Sequence, residues 1–112
     1  MSRRDDAVPL HHMLDHAREA VEMMRGRERG DLDTNRMLNL AVVRLLEIIG
    51  EAANRISETG RSGLPELPWP QIVGLRNRIV HGYDVIDLDI VWKIVHEDLP
   101  PLIEQLQKII KE

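Results

Sequence analysis

The chain has 112 residues, a net charge of −4 and no cysteine, which indicates one domain over residues 1–112 and excludes disulfides and thiolate metal sites. No apolar run reaches the roughly 18 residues of a membrane span, and the lack of cysteine fits a reducing cytoplasm. The acidic balance argues against a broad nucleic-acid-binding surface, so that any contact with RNA should be confined to a local group of arginines.

Two long helices are predicted in the first half of the chain. Apolar residues recur at three- and four-residue steps over residues 10–24, which describes one face of a helix that Gly26 should end. A second helix should begin at Asp33 or Thr34, both good N-caps, and run to about Ser57. This helix is apolar around most of its circumference. We therefore expect it to be both the central helix of a bundle and a subunit interface.

Glycine and proline predict where the chain bends. Gly50 lies inside the second helix at a cost of about 1 kcal/mol relative to alanine, which close approach by another backbone would offset. A loop is expected over residues 59–63, where threonine, serine and glycine cluster. Pro70 should start a third helix, and Gly82 should end it.

The last third of the chain predicts two more helices. Asp87 is a natural N-cap for a fourth helix, which Pro100 and Pro101 should interrupt. A short final helix should follow, because apolar residues recur at helical spacing from residue 102 to residue 110. No segment alternates as a strand would. The predicted fold is an all-α, antiparallel up-and-down bundle of four main helices plus a short C-terminal helix.

The stretch richest in chemical groups is residues 75–83, LRNRIVHGY. Arg76 is followed five places later by His81, with Tyr83 two further on. Asn77 and His81 should lie one turn apart on the same side of the third helix. If Gly82 ends that helix, the last carbonyls should favour a protonated His81, which suits a general acid. A guanidinium such as that of Arg76 can hold two phosphate oxygens.

This Arg-x4-His-x-Tyr spacing resembles the signature of HEPN-domain ribonucleases of the HepT-like toxin family. The resemblance runs from about residue 31 to residue 103 and includes residues 41–54 (AVVRLLEIIGEAAN), 67–69 (LPW), 85–92 (VIDLDIVW) and 98–100 (DLP). It implies a HEPN-like helical fold and a homodimer with its site in a cleft at the dimer interface. It further implies metal-independent cleavage of RNA, tRNA or mRNA, with Arg76 and His81 catalytic and no cofactor.

The resemblance also implies a control step and a second protein partner. Tyr83 would accept adenylyl groups (AMPylation) from a cognate minimal nucleotidyltransferase antitoxin, with which the homodimer could form a larger hetero-oligomer. An AMP group there would place negative charge and bulk beside Arg76 and His81. The chain would then be the toxin of a toxin–antitoxin pair.

Further residues are candidates for supporting the site by binding RNA: Asn77, Arg78, Arg44 and Glu51. Arg44, Glu47 and Glu51 form a polar stripe on the second helix, which is either a solvated face or one wall of the cleft. The two glutamates lack a histidine at Glu-x-x-His spacing, so no metal site is predicted from them. The arginines that could form a local pocket are Arg44, Arg55, Arg61, Arg76 and Arg78.

Two other functions fit the same residues. In the first, the chain is a non-catalytic helical subunit of a two-protein nucleotidyltransferase, and the pocket holds a nucleotide or a nucleic-acid end. In the second the motif is only structural, with Arg76 a surface arginine, His81 a capping residue and Tyr83 a half-buried packing residue. Cleavage of RNA by the purified protein separates these hypotheses.

Overall fold

The computed structural model describes residues 3–83 and 85–110. Its elements in chain order are α1 (Arg3–Met24), α2 (Asp31–Thr34), α3 (Arg36–Asn54), α4 (Glu58–Ser62), α5 (Trp69–Val73), α6 (Leu75–Ile79), β1 (Val80–His81), β2 (Val85–Ile86), α7 (Leu88–Lys93), a π-helical turn (Ile94–Asp98) and α8 (Leu99–Ile110). The predicted all-α class is confirmed. Within the described ranges, no helix has the length and apolarity that crossing a bilayer requires.

Helix α3 is the centre of the packing. Helix α1 packs along it, α5 and α6 cover another part of its surface, and α8 packs against α1. Nine of its residues are buried: Leu38, Val42, Val43, Leu45, Leu46, Ile49, Gly50, Ala52 and Ala53. The prediction that the second long helix is the central one is confirmed.

At Gly50, α3 closely approaches the end of α5 and the start of α6. A Cβ atom at this position would lie 3.2 Å from the carbonyl oxygen of Ile72 and 3.5 Å from Cβ of Leu75. The backbone of α5 therefore lies against α3 at a distance that a larger residue would increase. The close approach predicted at Gly50 is confirmed, and it fixes the position of α6 on the bundle.

The boundaries of α3 and of the following loop differ from those predicted. Asn35, not Asp33 or Thr34, is the N-cap of α3, and its Oδ1 accepts a hydrogen bond of 3.0 Å from the Leu38 amide. The predicted starting residues lie in the separate short helix α2. Helix α3 ends at Asn54, and the expected loop contains helix α4, which Ser57 caps. Asp33, Thr34 and Asn35 are all good N-cap residues, so the sequence alone did not specify which of them begins α3.

The predicted third helix is broken at Gly74 and ends earlier than expected. Val80 leaves α6 with extended dihedrals (φ −91°, ψ 124°), and β1 pairs antiparallel with β2 through Val80–Ile86 and His81–Val85. Gly82, at φ 75°, lies in the connecting turn. The prediction of no strand is wrong, because two paired residues are too few to show alternation.

His81 consequently lies in a strand and not in the last turn of a helix. The predicted alignment of Asn77 and His81 along one side of a helix is wrong, since α6 ends at Ile79. The argument that helix-end carbonyls favour a protonated His81 also loses its basis. The physical reason is the hairpin, which draws the chain out of the helix as soon as Val80 pairs with Ile86.

The chain stays helical from Leu88 to Ile110, so the predicted interruption at Pro100 and Pro101 is wrong. The π-helical turn comes immediately before these prolines. Prolines cannot donate a backbone hydrogen bond to the preceding turn, and a π-turn, with its wider i→i+5 pattern, alters the hydrogen-bond register at this point. The expected cap of this helix is confirmed, because Asp87 accepts from the Ile90 amide at 3.1 Å.

A buried carboxylate joins α1 to the start of α4. Asp6 is 2% exposed; its Oδ1 accepts from the Ser57 backbone amide at 2.9 Å and its Oδ2 from the Ser57 hydroxyl at 2.7 Å. The backbone hydrogen bond above all, opposed by burial and aided by the hydroxyl, lowers the pKa of Asp6 below its ordinary value of 3.8. The contact therefore stabilises the fold in its ionised form.

Replacing Asp6 by asparagine (Asp6→Asn) should lower the free energy of unfolding by about 1–3 kcal/mol at neutral pH, because the amide carries no charge and has one acceptor oxygen where the carboxylate has two. The folded-state pKa is lowered, so this stabilisation is complete above the unfolded-state pKa and disappears as pH falls through the folded-state value. Urea unfolding of both proteins at neutral and at acidic pH measures the difference, which should shrink in acid.

The matched control is Asp15→Asn, which removes an exposed carboxylate on the same helix that lies 4.0 Å from Arg18. This change should cost less than about 0.5 kcal/mol at either pH. A cost for Asp6→Asn that is equal at both pH values would contradict the assignment of an ionised Asp6.

Candidate functional site

The motif residues lie on an exposed surface made by α6 and the β1–β2 hairpin. Leu75 and Ile79 face the core and are 3% and 0% exposed, so that Arg76 and Asn77, at about 100° per residue, are directed outwards. The hairpin then presents His81 to solvent with 71% of its side chain exposed. Arg76 and His81 are thus both accessible, one at the start of α6 and one just beyond its end.

Arg76 belongs to a group of four charged side chains that we call the arginine–glutamate cluster: Arg44, Glu47, Glu51 and Arg76. Arg76 Nε lies 3.7 Å from Glu47 Oε2. Arg44 Nη1 lies 3.7 Å from Glu47 Oε1 and 3.4 Å from Glu51 Oε1. Glu47 is therefore placed between two arginines from different helices, and the predicted supporting residues Arg44 and Glu51 share this surface with Arg76.

The ion pairs of the cluster hold Arg76 only weakly. Its side chain is 74% exposed, and exposed ion pairs contribute about 0–1 kcal/mol because water screens them. A distance of 3.7 Å to Glu47 also exceeds a direct hydrogen bond. Several of the five guanidinium donors of Arg76 therefore remain open to an incoming phosphate, which binds through two parallel charge-assisted hydrogen bonds.

Glu47 was not predicted as a partner of Arg76. From the sequence it was placed only on the polar stripe with Arg44 and Glu51, and a metal site there was not predicted. The two residues lie 29 positions apart, and their contact depends on α6 packing against α3 near Gly50. The only signal in the sequence was the position of Glu47 one helical turn after Arg44.

His81 also lies beside a carboxylate. Its Nδ1 is 3.8 Å from Asp87 Oδ2, and the Asp87 side chain is 27% exposed. Asp87 caps α7 through its other oxygen, at 3.1 Å from the Ile90 amide, and its own amide donates to the Ile79 carbonyl at 2.7 Å. The sequence predicted Asp87 as a cap and missed its second role, because the hairpin that brings it back to His81 was not foreseen.

Arg78 points away from the cluster. Its Nη2 donates to Asp98 Oδ2 at 2.8 Å, with both side chains about one-third exposed, so it links α6 to the π-helical turn.

Arg61 also has its partners outside the cluster, since its Nη2 donates to the carbonyls of Ala53 and Asn54 at the end of α3, each at 3.2 Å. Arg55 lines a separate groove beside α1, with Val8 and Pro9. Of the five arginines predicted to form a local pocket, Arg44 and Arg76 are therefore the two that the cluster brings together.

Tyr83 is fully exposed in the turn of the hairpin. The interpretation of this residue as a half-buried packing tyrosine is wrong. It follows Gly82, whose positive φ of 75° is a conformation that glycine adopts readily. The phenol hydroxyl is thus reachable by a second protein without any opening of the fold.

The remaining histidines and tryptophans have local roles. His11 Nδ1 lies 2.9 Å from the Ala7 carbonyl oxygen, and His96 stacks on Trp92 with ring centroids 3.7 Å apart. Trp69 is 8% exposed, as expected of a core anchor, and donates to the Leu64 carbonyl at 3.0 Å. Over residues 3–83 and 85–110, no three histidine or acidic side chains are grouped so that they could hold a metal ion.

Comparison with known proteins gives consistent matches over nearly the whole chain. The profile described as Ribonuclease HepT-like matches residues 13–109. A Methanocaldococcus jannaschii protein named "Putative RNase MJ1380" is 38% identical over 107 residues, which cover 96% of this chain and 98% of that protein. A Thermococcus cleftensis protein named "Probable ribonuclease HepT" is 33% identical over 102 residues, covering 88% and 93%.

A third relative, "Putative RNase TTE0752" of Caldanaerobacter subterraneus, is 30% identical over 103 residues, covering 92% of each chain. No solved structure gives a significant match. The profile match includes the arginine–glutamate cluster, the hairpin and Asp87. The chain therefore belongs to the HepT-like ribonuclease family, as its sequence motif predicted.

Proposed function

We propose that this chain is a metal-independent endoribonuclease toxin that cleaves cytoplasmic RNA through Arg76 and His81 at a homodimer cleft. The observation that supports the proposal is that both side chains are largely exposed, on the adjoining elements α6 and β1, and that each lies just under 4 Å from a carboxylate. Family membership supports RNA as the substrate. The printed names of the relatives, which are ribonucleases, agree with this class.

The proposed chemistry uses only side chains that two copies of this chain supply. The 2′-hydroxyl oxygen of a ribose attacks the adjacent phosphorus, the bond from phosphorus to the 5′-oxygen breaks, and a 2′,3′-cyclic phosphate and a 5′-hydroxyl result. One imidazole accepts the proton of the 2′-hydroxyl, and another donates a proton to the departing 5′-oxygen. Arg76 neutralises the charge that develops on the phosphorane oxygens.

The proposal requires a dimer, because each chain supplies one histidine to the surface and the reaction uses two proton transfers. The outer face of α3 offers an apolar patch for the second copy. Met37 is 83% exposed and Leu40 is 53% exposed, and Ala41 and Ile48 lie on the same side of the helix at helical spacing. Exposed apolar side chains that adjoin one another commonly mark an interface.

The apolar patch continues along α3 into the arginine–glutamate cluster. Leu40 lies one turn before Arg44 on the same helix face. A twofold interface centred on this face would bring the two clusters, and with them the two copies of Arg76 and His81, towards each other. The cluster contains both signs of charge, so the two copies can be electrostatically complementary.

Alanine at either catalytic position should abolish cleavage. Arg76→Ala removes the phosphate contact and His81→Ala removes a proton-transfer group, each worth a loss of about 100-fold or more in rate. Purified protein incubated with tRNA and with mRNA in the presence of EDTA, followed by analysis of product ends for a 2′,3′-cyclic phosphate, measures the effect.

The controls are His11→Ala, at an exposed position of α1, and Arg25→Ala, at an exposed position in the turn just after α1; both change the same residue types and should leave cleavage unaltered. Full activity in both motif variants would refute a catalytic role. Tight nucleotide binding with no cleavage by the parent protein would instead indicate the non-catalytic subunit of a two-protein nucleotidyltransferase.

A charge on the α3 patch should separate the dimer. Met37→Asp places a carboxylate where the second copy would bury an apolar side chain, so the molar mass measured by light scattering should fall to that of one chain, and cleavage should fall with it. Val8→Asp, at an apolar position of α1 that is 61% exposed, is the control. A parent protein that is monomeric at all concentrations would contradict the dimer.

The proposal includes control of the toxin by AMP transfer to Tyr83 from a cognate minimal nucleotidyltransferase antitoxin. The phenol oxygen would attack the α-phosphorus of ATP, pyrophosphate would leave, and a base of the antitoxin would take the phenol proton. The exposed position of Tyr83 in the hairpin turn supports this. The resulting phosphodiester and nucleoside would then compete with RNA near Arg76 and His81.

Co-expression with a nucleotidyltransferase encoded beside this chain tests the control step. The tryptic peptide with Tyr83 should gain the mass of one or more AMP groups, and the modified protein should no longer cleave RNA. Tyr83→Phe should stay unmodified and remain active in the presence of the antitoxin, since only the hydroxyl is removed. An unmodified Tyr83 peptide from the inhibited complex would eliminate this mechanism.

A further inference from the structure

We infer that Asp87 is a positioning residue for His81: its carboxylate selects the imidazole tautomer that carries the proton on Nδ1 and presents a free Nε2 to RNA. The inference rests on the proposed function for its catalytic consequence. Its structural basis is the 3.8 Å separation of His81 Nδ1 and Asp87 Oδ2. This role differs from that of Asp87 as a helix cap, which uses the other carboxylate oxygen.

The carboxylate of Asp87 is held in place by contacts on both sides. Its Oδ1 accepts from the Ile90 amide at 3.1 Å, and its backbone amide donates to the Ile79 carbonyl at 2.7 Å. These contacts fix the backbone and the side-chain torsion of Asp87. Oδ2 is left facing His81 and can attract a proton there without a further loss of side-chain freedom.

His81 is held by its backbone and is open at the far side of its ring. The strand pairing of His81 with Val85 sets the direction of its side chain. A neutral imidazole carries one N–H group, and a carboxylate beside Nδ1 stabilises the form that has the proton on that atom. The lone pair then lies on Nε2. Since 71% of the side chain is exposed, this nitrogen is available to a 2′-hydroxyl.

The proton transfer is balanced within the proposed reaction. Nε2 takes the proton of the attacking 2′-hydroxyl, and the positive imidazolium that forms lies beside the Asp87 carboxylate. A separation of 3.8 Å is longer than a hydrogen bond, and such contacts commonly shorten when substrate binds. Because the pair is exposed to water, its effect on rate should be modest, about two- to fivefold.

Asp87→Asn tests the inference and should leave the fold intact, because asparagine is as good an N-cap as aspartate. At alkaline pH, where imidazole is neutral, the ¹⁵N chemical shifts of His81 in the parent protein should show the proton on Nδ1. In the variant, the population should shift towards the tautomer with the proton on Nε2. With RNA, kcat should fall about two- to fivefold and KM should stay unchanged.

Asp89→Asn is the matched control. It removes the same charge two residues further along, where the carboxylate is 86% exposed and pairs with Arg29 at 2.7 Å, so the tautomer of His81 and kcat should both stay as in the parent. Asp87→Ser keeps a capping oxygen without the charge and should reproduce the effects of Asp87→Asn. That result would show that loss of the carboxylate, and not the amide group of asparagine, causes them.

The outcomes for the inference and for the proposed function are distinct. Identical His81 tautomer populations in the parent and in both Asp87 variants would overturn the inference, whether or not RNA is cleaved. A shift of tautomer in a protein that cleaves no RNA would uphold the role of Asp87 towards His81 and refute the ribonuclease proposal. A fall in kcat equal to that in Asp89→Asn would also overturn the inference.

Discussion

The structure depends on the burial of two parts of the surface of α3 by different helices. Helix α1 packs on one part of its surface, while α5 and α6 pack on another, and Gly50 lets the α5 backbone approach closely. Only a narrow outer face is left exposed. That face carries the apolar patch at Met37 and Leu40 and, further along, Glu47, which lies beside Arg76. The packing of the core thus decides which side chains can form the site.

In the candidate site, one carboxylate lies beside a guanidinium and another beside an imidazole, and neither contact immobilises its partner. Glu47 and Asp87 come from elements that are firmly packed or capped, and each lies just under 4 Å from its partner. Arg76 and His81 remain largely exposed. Contacts of this length and exposure restrict the direction of a side chain, yet they are weak enough for a phosphate to replace them. A tighter pairing would stabilise the free protein and oppose substrate binding.

Much of the fold was predictable, because strong apolar periodicity marks α1 and α3, and Asp87 was a clear cap. The hairpin was not, since four paired residues show no periodicity and its formation depends on contacts made after α6. The prolines at 100 and 101 were expected to break the helix. This prediction failed because no feature of the sequence indicates the π-helical turn before them. Each of these errors concerns a tertiary effect that overrides a local preference.

The motif of the candidate site could be predicted from the sequence, but the side chains that contact the motif residues could not. Arg76, His81 and Tyr83 were identified from their spacing, and the family they indicate is confirmed. Glu47 could not be assigned to Arg76, because 29 residues separate them and their contact requires the packing at Gly50. Arg78 was grouped with the site because of its charge, whereas Asp98 holds it on another part of the surface.

The arginine–glutamate cluster carries two cations and two anions, so it has no net charge of its own. When a phosphate reaches Arg76, the guanidinium exchanges Glu47 for the phosphate as its ionic neighbour, and few counterions are released from the RNA. Release of counterions is the usual source of strong binding to nucleic acid. In a ribonuclease built this way, bulk RNA would be held weakly and with little dependence on ionic strength. Recognition would then rest on the shape of the strand at the bond to be cut, and the protein would leave most transcripts without delay.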